Sequence, residues 1–237
     1  MTHSNLSLTN KIWFSPVNVI YHFKKLETEG KIIPGQKHYK KCREAFIVAI
    51  SLVGVIKMLG REFWMQIVDD SEGSPDVRTG CYDKKIHDND FAIVDVEVVT
   101  YDANSSENLI DFLLRTKLSD GKGYDDLTTI LCHIDKITSI PSADELNKQI
   151  IAKNPKIKPR VVVIGKTDPV KEIYRMVQIY PDVDLDITFD LMAECHARKY
   201  NGVLVLKRGV NKPTEFKYSP DEKHYPFESL GISAADC

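Results

Sequence analysis

The sequence predicts an α/β protein in which a mixed β-sheet carries helices on both faces. Two observations support this class. Short β-branched segments alternate with helical segments in the second half of the chain, and the first half holds strand segments close enough to pair antiparallel. A hydrophobic fraction of 43% and a charged fraction of 28% over 237 residues are those of a globular chain with a sizeable core.

Helices are predicted where apolar residues recur with helical spacing next to capping residues. The longest spans 39–59 and ends at Gly60, a residue type that favours helix termination. Further predicted helices are 106–118 capped by Ser105 or Ser106, 142–153 with a Ser142/Glu145 capping box, 169–180 with Asp168 as cap and Pro169 first, and 190–200.

Strands are predicted where Val, Ile and aromatic residues dominate short segments. They span 63–68, 76–79, 91–101, 127–134, 160–165, 183–188 and 202–207. The early strands are expected to pair antiparallel and the later ones, separated by helices, to be parallel. Polar loops are expected at 69–74, 84–90 and 120–123.

The chain is expected to divide into an N-terminal helical arm (1–36), an α/β core (37–210) and an irregular C-terminal tail (211–237). The tail is polar and contains Pro213, Pro220 and Pro226. The arm carries two aromatic-rich patches before Pro34 and Gly35 break the chain.

Composition also bounds the location and the partners. The five cysteines are scattered and never paired in a CxxC spacing, which favours reduced thiols in a cytoplasmic protein. No apolar run is long enough for a membrane span and no signal peptide is visible, so no membrane association is expected. A net charge of −2 gives no support for a nucleic-acid partner, although local basic clusters occur at 37–41, 84–85 and 153–160.

The most informative segment is the strand 91–101. Side chains alternate along a strand, so Asp95 and Glu97 share one side while Val94, Val96 and Val98 occupy an apolar opposite side. Two like charges in a hydrophobic strand repel each other and are costly to desolvate, and a divalent metal would offset both costs. The alternative is an edge strand with both acids in water.

Two further acids lie upstream. Pro75 fixes the backbone before Asp76, which is separated from Asp95 by eighteen residues, and Glu44 lies near the start of the long helix. Alone, Asp76 is an ordinary turn residue and Glu44 an acid that interacts favourably with the helix dipole.

Together these residues resemble the PD-(D/E)xK nuclease superfamily, which has the restriction-endonuclease-like fold. Pro75-Asp76 matches its first element and Asp95-Val96-Glu97 its second, with Glu97 where Lys is usual. Glu44 occupies the place of the acid that the family often adds from the preceding helix. The predicted element order over 39–165 is also similar to the family core.

The resemblance implies an endonuclease that cleaves phosphodiester bonds in double-stranded DNA with Mg²⁺, or with Mn²⁺ as a substitute. Asp76 and Asp95 would hold the metal, Glu44 would bind it directly or through water, and Glu97 would orient or deprotonate the attacking water. The compensating cation would be Lys40, Lys41 or Arg78. Restriction-like enzymes are often dimers, so a homodimer is one expectation.

Two other interpretations stay open at this point. The same fold, with its chemistry lost, would serve as a nucleic-acid-binding or protein-interaction module, which the missing Lys favours. An unrelated α/β domain would have a structural or regulatory role. Convergence of Asp76, Asp95 and Glu97 within metal-binding reach separates the last interpretation from the others.

Overall fold

The computed structural model describes residues 11–36, 38–68, 75–83, 90–119, 124–136, 140–153, 159–198, 203–206, 225–227, 230 and 232. The predicted loops at 69–74 and 120–123, nearly all of the one at 84–90, and most of the tail lie outside these residues.

The described strands form one nine-stranded sheet with the order β8-β7-β6-β5-β4-β3-β2-β1-β9. The strands are β1 (Lys11–Phe14), β2 (Trp64–Ile67), β3 (Val77–Asp83), β4 (Asp90–Tyr101), β5 (Thr128–Ile134), β6 (Arg160–Lys166), β7 (Ile173–Tyr180), β8 (Asp186–Asp190) and β9 (Val203–Leu206). The helices are α1 (Pro16–Thr28), α2 (Tyr39–Leu59), α3 (Leu109–Thr116), α4 (Ala143–Lys153) and α5 (Leu191–Ala197).

The predicted α/β class with a mixed sheet is confirmed. Strands β1 to β4 pair antiparallel along the sheet, and β4, β5 and β6 are parallel. The expectation that all later strands are parallel was wrong, because β7 and β8 are antiparallel to their neighbours.

The helix predicted over 169–180 is instead a turn followed by β7. Asp168 Oδ1 does accept hydrogen bonds from backbone N–H groups, those of Val170 at 2.8 Å and Lys171 at 2.7 Å, but in a turn and not at a helix start. The following residues are buried on both faces of the sheet, with Met176 in one core cluster and Val177 in the other. A strand buried on both sides shows no clean alternation, so its pattern was mistaken for a helix.

The N-terminal part differs from a purely helical arm. Residues 11–14 form β1, which pairs with β2 and with β9, and α1 is the helix in the described part of this arm, 11–36. Within the tail, Phe227 and Leu230 are buried in the same core cluster as α1 and α2. Helix α3 begins later than predicted, with Asn108 accepting a hydrogen bond from the Ile110 N–H at 2.8 Å as its cap.

Helix α2 agrees with the prediction at both ends, and Gly60 adopts a left-handed conformation (φ 64°) that ends it. With α1 and α5 it covers one face of the sheet, where Val96 and Val98 of β4 join the core cluster. Helices α3 and α4 cover the other face, where Val99 and Tyr101 pack. The predicted alternation along β4 is therefore present, and helices lie on both faces. No helix in the described ranges is long and apolar enough to cross a bilayer.

Candidate active-site cleft

A cleft of about 390 Å³ lies between the first turns of α2 and the strands β3 and β4. Its floor includes Ile47, Val98 and Val99, and its polar wall carries Lys40, Arg43, Glu44, Asp76 and Lys117. The cleft therefore brings residues from helix α2, the start of β3, the end of β4 and the end of α3 to one place.

Asp76 is held at the cleft by two contacts. Its Oδ2 accepts a hydrogen bond from the Val98 N–H at 2.8 Å, which ties the carboxylate to the neighbouring strand β4. Its Oδ1 faces the buried ammonium of Lys41, with an N–O distance of 3.5 Å. Pro75 immediately precedes it, and the carbonyl of Asp76 accepts from the Val68 N–H at 3.4 Å. The carboxylate is thus fixed by backbone and helix together.

Glu44 reaches the same cleft from α2. Its side chain is only 11% exposed, and Lys40 one turn earlier lies 3.6 Å from it. Burial, together with the nearby negative charge of Asp76, raises the pKa of Glu44 to about 7, which Lys40 and Lys41 only partly oppose. The Glu44 carboxylate is therefore destabilised mainly by its burial and additionally by the charge of Asp76.

Glu97 faces the opposite side of β4 from the α2 core and is paired with Lys117. The Lys117 Nζ donates to Glu97 Oε2 at 2.6 Å, and the Tyr124 hydroxyl donates to the same oxygen at 3.3 Å. Burial acts to lower the pKa of Lys117, but the hydrogen bond and charge of Glu97 outweigh it, and Asp76 adds to the same effect. Lys117 therefore stays charged and links Glu97 to Asp76 electrostatically.

Asp95 occupies a different environment from Glu97, although both project from the same side of β4. Its side chain is 41% exposed, and its Oδ1 lies 3.5 Å from the Nε of Arg78 across the β3–β4 ladder. Burial raises the pKa of Asp95, as do Asp125 and Glu97, against the opposing effect of Arg78. Asp95 does not line the cleft.

The predicted set of acids is therefore only partly brought together. Glu44 and Asp76 both line the cleft. Glu97 does not line it but pairs with Lys117, which does, and Asp95 pairs with Arg78 outside the cleft. Within the described part of the chain, no three or more His, Cys, Asp or Glu side chains group closely enough to hold a metal ion. The three-ligand set of Asp76, Asp95 and Glu44 is not assembled, which leaves Glu44 and Asp76 as the pair best placed to hold a cation.

The sequence analysis did not identify Lys117 and Tyr124, the two residues that donate hydrogen bonds to Glu97. The position of Lys117 follows from element lengths that the structure supplies. Helix α3 has 8 residues, a rise of about 12 Å, and Glu97 lies four residues before the end of β4, about 13 Å back along the strand. A helix that returns antiparallel to β4 must end near the level of Glu97. The cations guessed from sequence do contact acids, since Lys40 pairs with Glu44, Lys41 with Asp76 and Arg78 with Asp95.

No family model matches this chain, and no curated protein and no solved structure shows significant similarity to it.

Proposed function

We propose that this chain is a Mg²⁺-dependent endonuclease that hydrolyses phosphodiester bonds in double-stranded DNA, with Mn²⁺ as a substitute metal. One observation carries the proposal. Two acids from separate elements, Glu44 and Asp76, meet in a cleft whose wall also carries lysine side chains. Acids for a metal and cations for phosphate oxygens are the two requirements of metal-assisted phosphodiester cleavage.

The donor set fits Mg²⁺ in kind and number. Mg²⁺ keeps several waters and is commonly held by one or two carboxylates plus substrate phosphate, so a pair such as Glu44 and Asp76 suffices without a third ligand. The pKa of Glu44 is raised first by burial and then by the charge of Asp76, and a divalent ion bound to both carboxylates would oppose both effects. When bound, the metal would supply an activated water and neutralise charge on the phosphoryl oxygens.

The chain's own groups then have distinct roles. Asp76 is oriented by the Val98 N–H, so one of its oxygens keeps a fixed direction. Lys117 lines the cleft, where it is hydrogen-bonded to Glu97 and to the Tyr124 hydroxyl, and an ammonium has three donors, so one remains to contact a phosphate oxygen. Glu97 acts by holding Lys117. The resembled motif usually has a Lys at the position of Glu97. In this arrangement Lys117 supplies that positive charge from α3.

The order of the helices and strands also favours the proposal. From α2 the chain forms a helix, the antiparallel meander β2-β3-β4, helix α3 and then β5 parallel to β4. This order is similar to that of the nuclease core that the sequence resembles. The cleft lies at the carboxyl end of β4, and in open α/β sheets ligands bind near the carboxyl ends of the strands.

A second candidate function has its own observation. Glu44, Asp76 and Glu97 are each paired with a lysine, so each acid already has a cationic partner from the chain itself. This favours a nucleic-acid-binding or protein-interaction module in which these ion pairs are structural and no hydrolysis occurs.

The test is nicking of supercoiled plasmid by the purified full chain. We expect nicking with Mg²⁺ or Mn²⁺, none with excess EDTA, and none for the double variant Glu44→Gln/Asp76→Asn purified in the same way. The double variant is the control for a contaminating nuclease. Equal nicking by wild type and double variant, or none by either, would remove the endonuclease proposal and leave the binding module.

A further inference from the structure

Three cations line the cleft within the described residues, and they differ in their partners. Lys40 pairs with Glu44, and Lys117 pairs with Glu97. Both lysines thus neutralise acids of the proposed catalytic group. Arg43 pairs instead with Asp135, which lies just after the end of β5 and does not line the cleft. A change at the acids of the cleft therefore leaves the partner of Arg43 in place.

Arg43 is held in position by Asp135, the residue that follows β5. Its Nη2 donates to Asp135 Oδ1, and the Asp135 backbone N–H donates to the Tyr101 carbonyl at 3.0 Å, which fixes Asp135 to the end of β4. His133, beside this pair, has a pKa lowered to about 4 by burial and by Arg43, against Asp135, so it is neutral at physiological pH. The position of Arg43 is therefore set by one ion pair on a fixed acid.

Most donors of Arg43 are still available. A guanidinium has five N–H donors, and the bond to Asp135 uses one of them. Arg43 makes no other hydrogen bond to a described residue, and its side chain is 33% exposed at the cleft wall. A planar guanidinium with free donors, held by a carboxylate behind it, is suited to bidentate binding of a phosphate group.

We propose that Arg43 binds the DNA phosphate next to the scissile one, so that the cleft holds two consecutive phosphates of one strand. Asp135 acts as a positioning residue for Arg43. This inference rests on the proposed function, since Glu44 and Asp76 define where the scissile phosphate lies. It adds a residue that fixes the register of the strand without acting on the reacting bond.

The test is the salt dependence of DNA binding, measured by fluorescence anisotropy with a labelled duplex in EDTA, where no hydrolysis takes place. Each neutralised phosphate contributes about 0.9 to the slope of log K against log salt. We expect Arg43→Gln to reduce the slope by about one and to weaken binding about tenfold at low salt. Arg43→Lys should keep the slope but weaken binding, because Lys keeps the charge and loses the bidentate geometry.

Arg160→Gln is the matched control. Arg160 is exposed at the amino end of β6, whereas Asp135 follows the carboxyl end of the parallel strand β5. Arg160 and the Arg43–Asp135 pair therefore lie at opposite ends of the parallel strands. We expect its slope to equal that of wild type. Asp135→Asn should weaken binding less than Arg43→Gln, with an unchanged slope.

Single-turnover cleavage at saturating DNA separates this inference from a catalytic role. If Arg43 binds the neighbouring phosphate, the rate for Arg43→Gln stays within a few-fold of wild type once the DNA is saturating. An unchanged salt slope, a lost rate with unchanged binding, or absence of duplex binding by wild type would each overturn the inference. If wild type binds but does not cleave, and Arg43→Gln still lowers the slope, the endonuclease proposal fails while the phosphate contact stands.

Discussion

Strand β4 offers a comparison between two acids that share one side of the strand. Glu97 is 5% exposed and pairs at 2.6 Å with Lys117, whose charge also acts on Asp76 in the cleft. Asp95, two residues earlier, is 41% exposed on its side chain and pairs at 3.5 Å with Arg78 on the adjacent strand. The difference teaches that the neighbouring elements, and not the alternation along the strand, decide which acid joins the site. Helix α3 ends beside Glu97, where Lys117 reaches it, whereas Asp95 lies between strands β3 and β5 and has its cation, Arg78, on β3.

The largest expected effect is a difference in nicking rate between the variants Asp76→Asn and Asp95→Asn. Asp76→Asn should lower the nicking rate at least about 100-fold, because a metal contributes several kcal/mol of transition-state stabilisation. Asn keeps an oxygen that can still accept from the Val98 N–H, so the fold should be preserved. Asp95→Asn should stay within about threefold of wild type, since losses this small correspond to under 1 kcal/mol.

Comparable losses in both variants would mean that Asp95 belongs to the site and that the contrast along β4 is wrong. Circular dichroism of each variant checks that an activity loss does not come from unfolding.

The next largest effect concerns the ion pair of Glu97. Lys117→Met should lower the free energy of unfolding by roughly 3 kcal/mol, because a buried carboxylate then lacks its cation. The double variant Glu97→Gln/Lys117→Met should recover most of that stability but not the nicking activity. Urea titration of both variants measures the first effect. A Lys117→Met variant as stable as wild type would show that Glu97 is solvated.

A smaller effect is expected from the charge on Glu44, and it depends on pH. The pKa of Glu44 is raised to about 7 from an ordinary 4.5, so the folded state favours the protonated form. Stability is therefore lost as the pH rises from 4.5 through 7, and the full penalty is present above that range. Glu44→Gln should stabilise the protein by roughly 2–3 kcal/mol at about pH 8 and by almost nothing at about pH 4.

Mg²⁺ provides the control for this pH effect. At about pH 8 the ion should raise the free energy of unfolding of wild type, because a bound cation favours the charged carboxylate. The difference in stability between wild type and Glu44→Gln should therefore become smaller. A stability gain in Glu44→Gln that is the same at both pH values would contradict the raised pKa.

The smallest effect is on the stability of the exposed pair. Asp95→Asn should change the free energy of unfolding by less than about 1 kcal/mol, because a partly solvated ion pair contributes little and Asn still offers an acceptor to Arg78. The same urea titration measures it. A loss as large as that of Lys117→Met would remove the distinction between the two acids of β4.

The comparison also shows how far sequence patterns reach. Helix α2, strand β4 and the alternation of Val96 and Val98 follow from periodicity and from Gly60, which are local signals. The interval over 169–180 was misassigned, because Asp168 makes the same side-chain bonds in a turn as at a helix start. A local motif cannot tell these two cases apart.

The residues of the site also fall into those that local patterns identify and those that they do not. Pro75-Asp76 and Glu44 were found by motif and position, and the structure places both at one cleft. Asp95 was included because it shares a side with Glu97, but its surroundings depend on the pairing of β3 with β4. Lys117 was missed because its role depends on the length of α3. Contacts between distant segments determine these two outcomes, and no local pattern encodes them.

The most direct test of the account is a calorimetric titration of Mn²⁺ into the metal-free full chain at about pH 8, where Glu44 is charged. We expect one ion to bind wild type, Asp95→Asn to bind it equally, and Asp76→Asn to lose it. The absence of binding by wild type, or binding that survives in Asp76→Asn and disappears in Asp95→Asn, would contradict a metal site formed by Glu44 and Asp76.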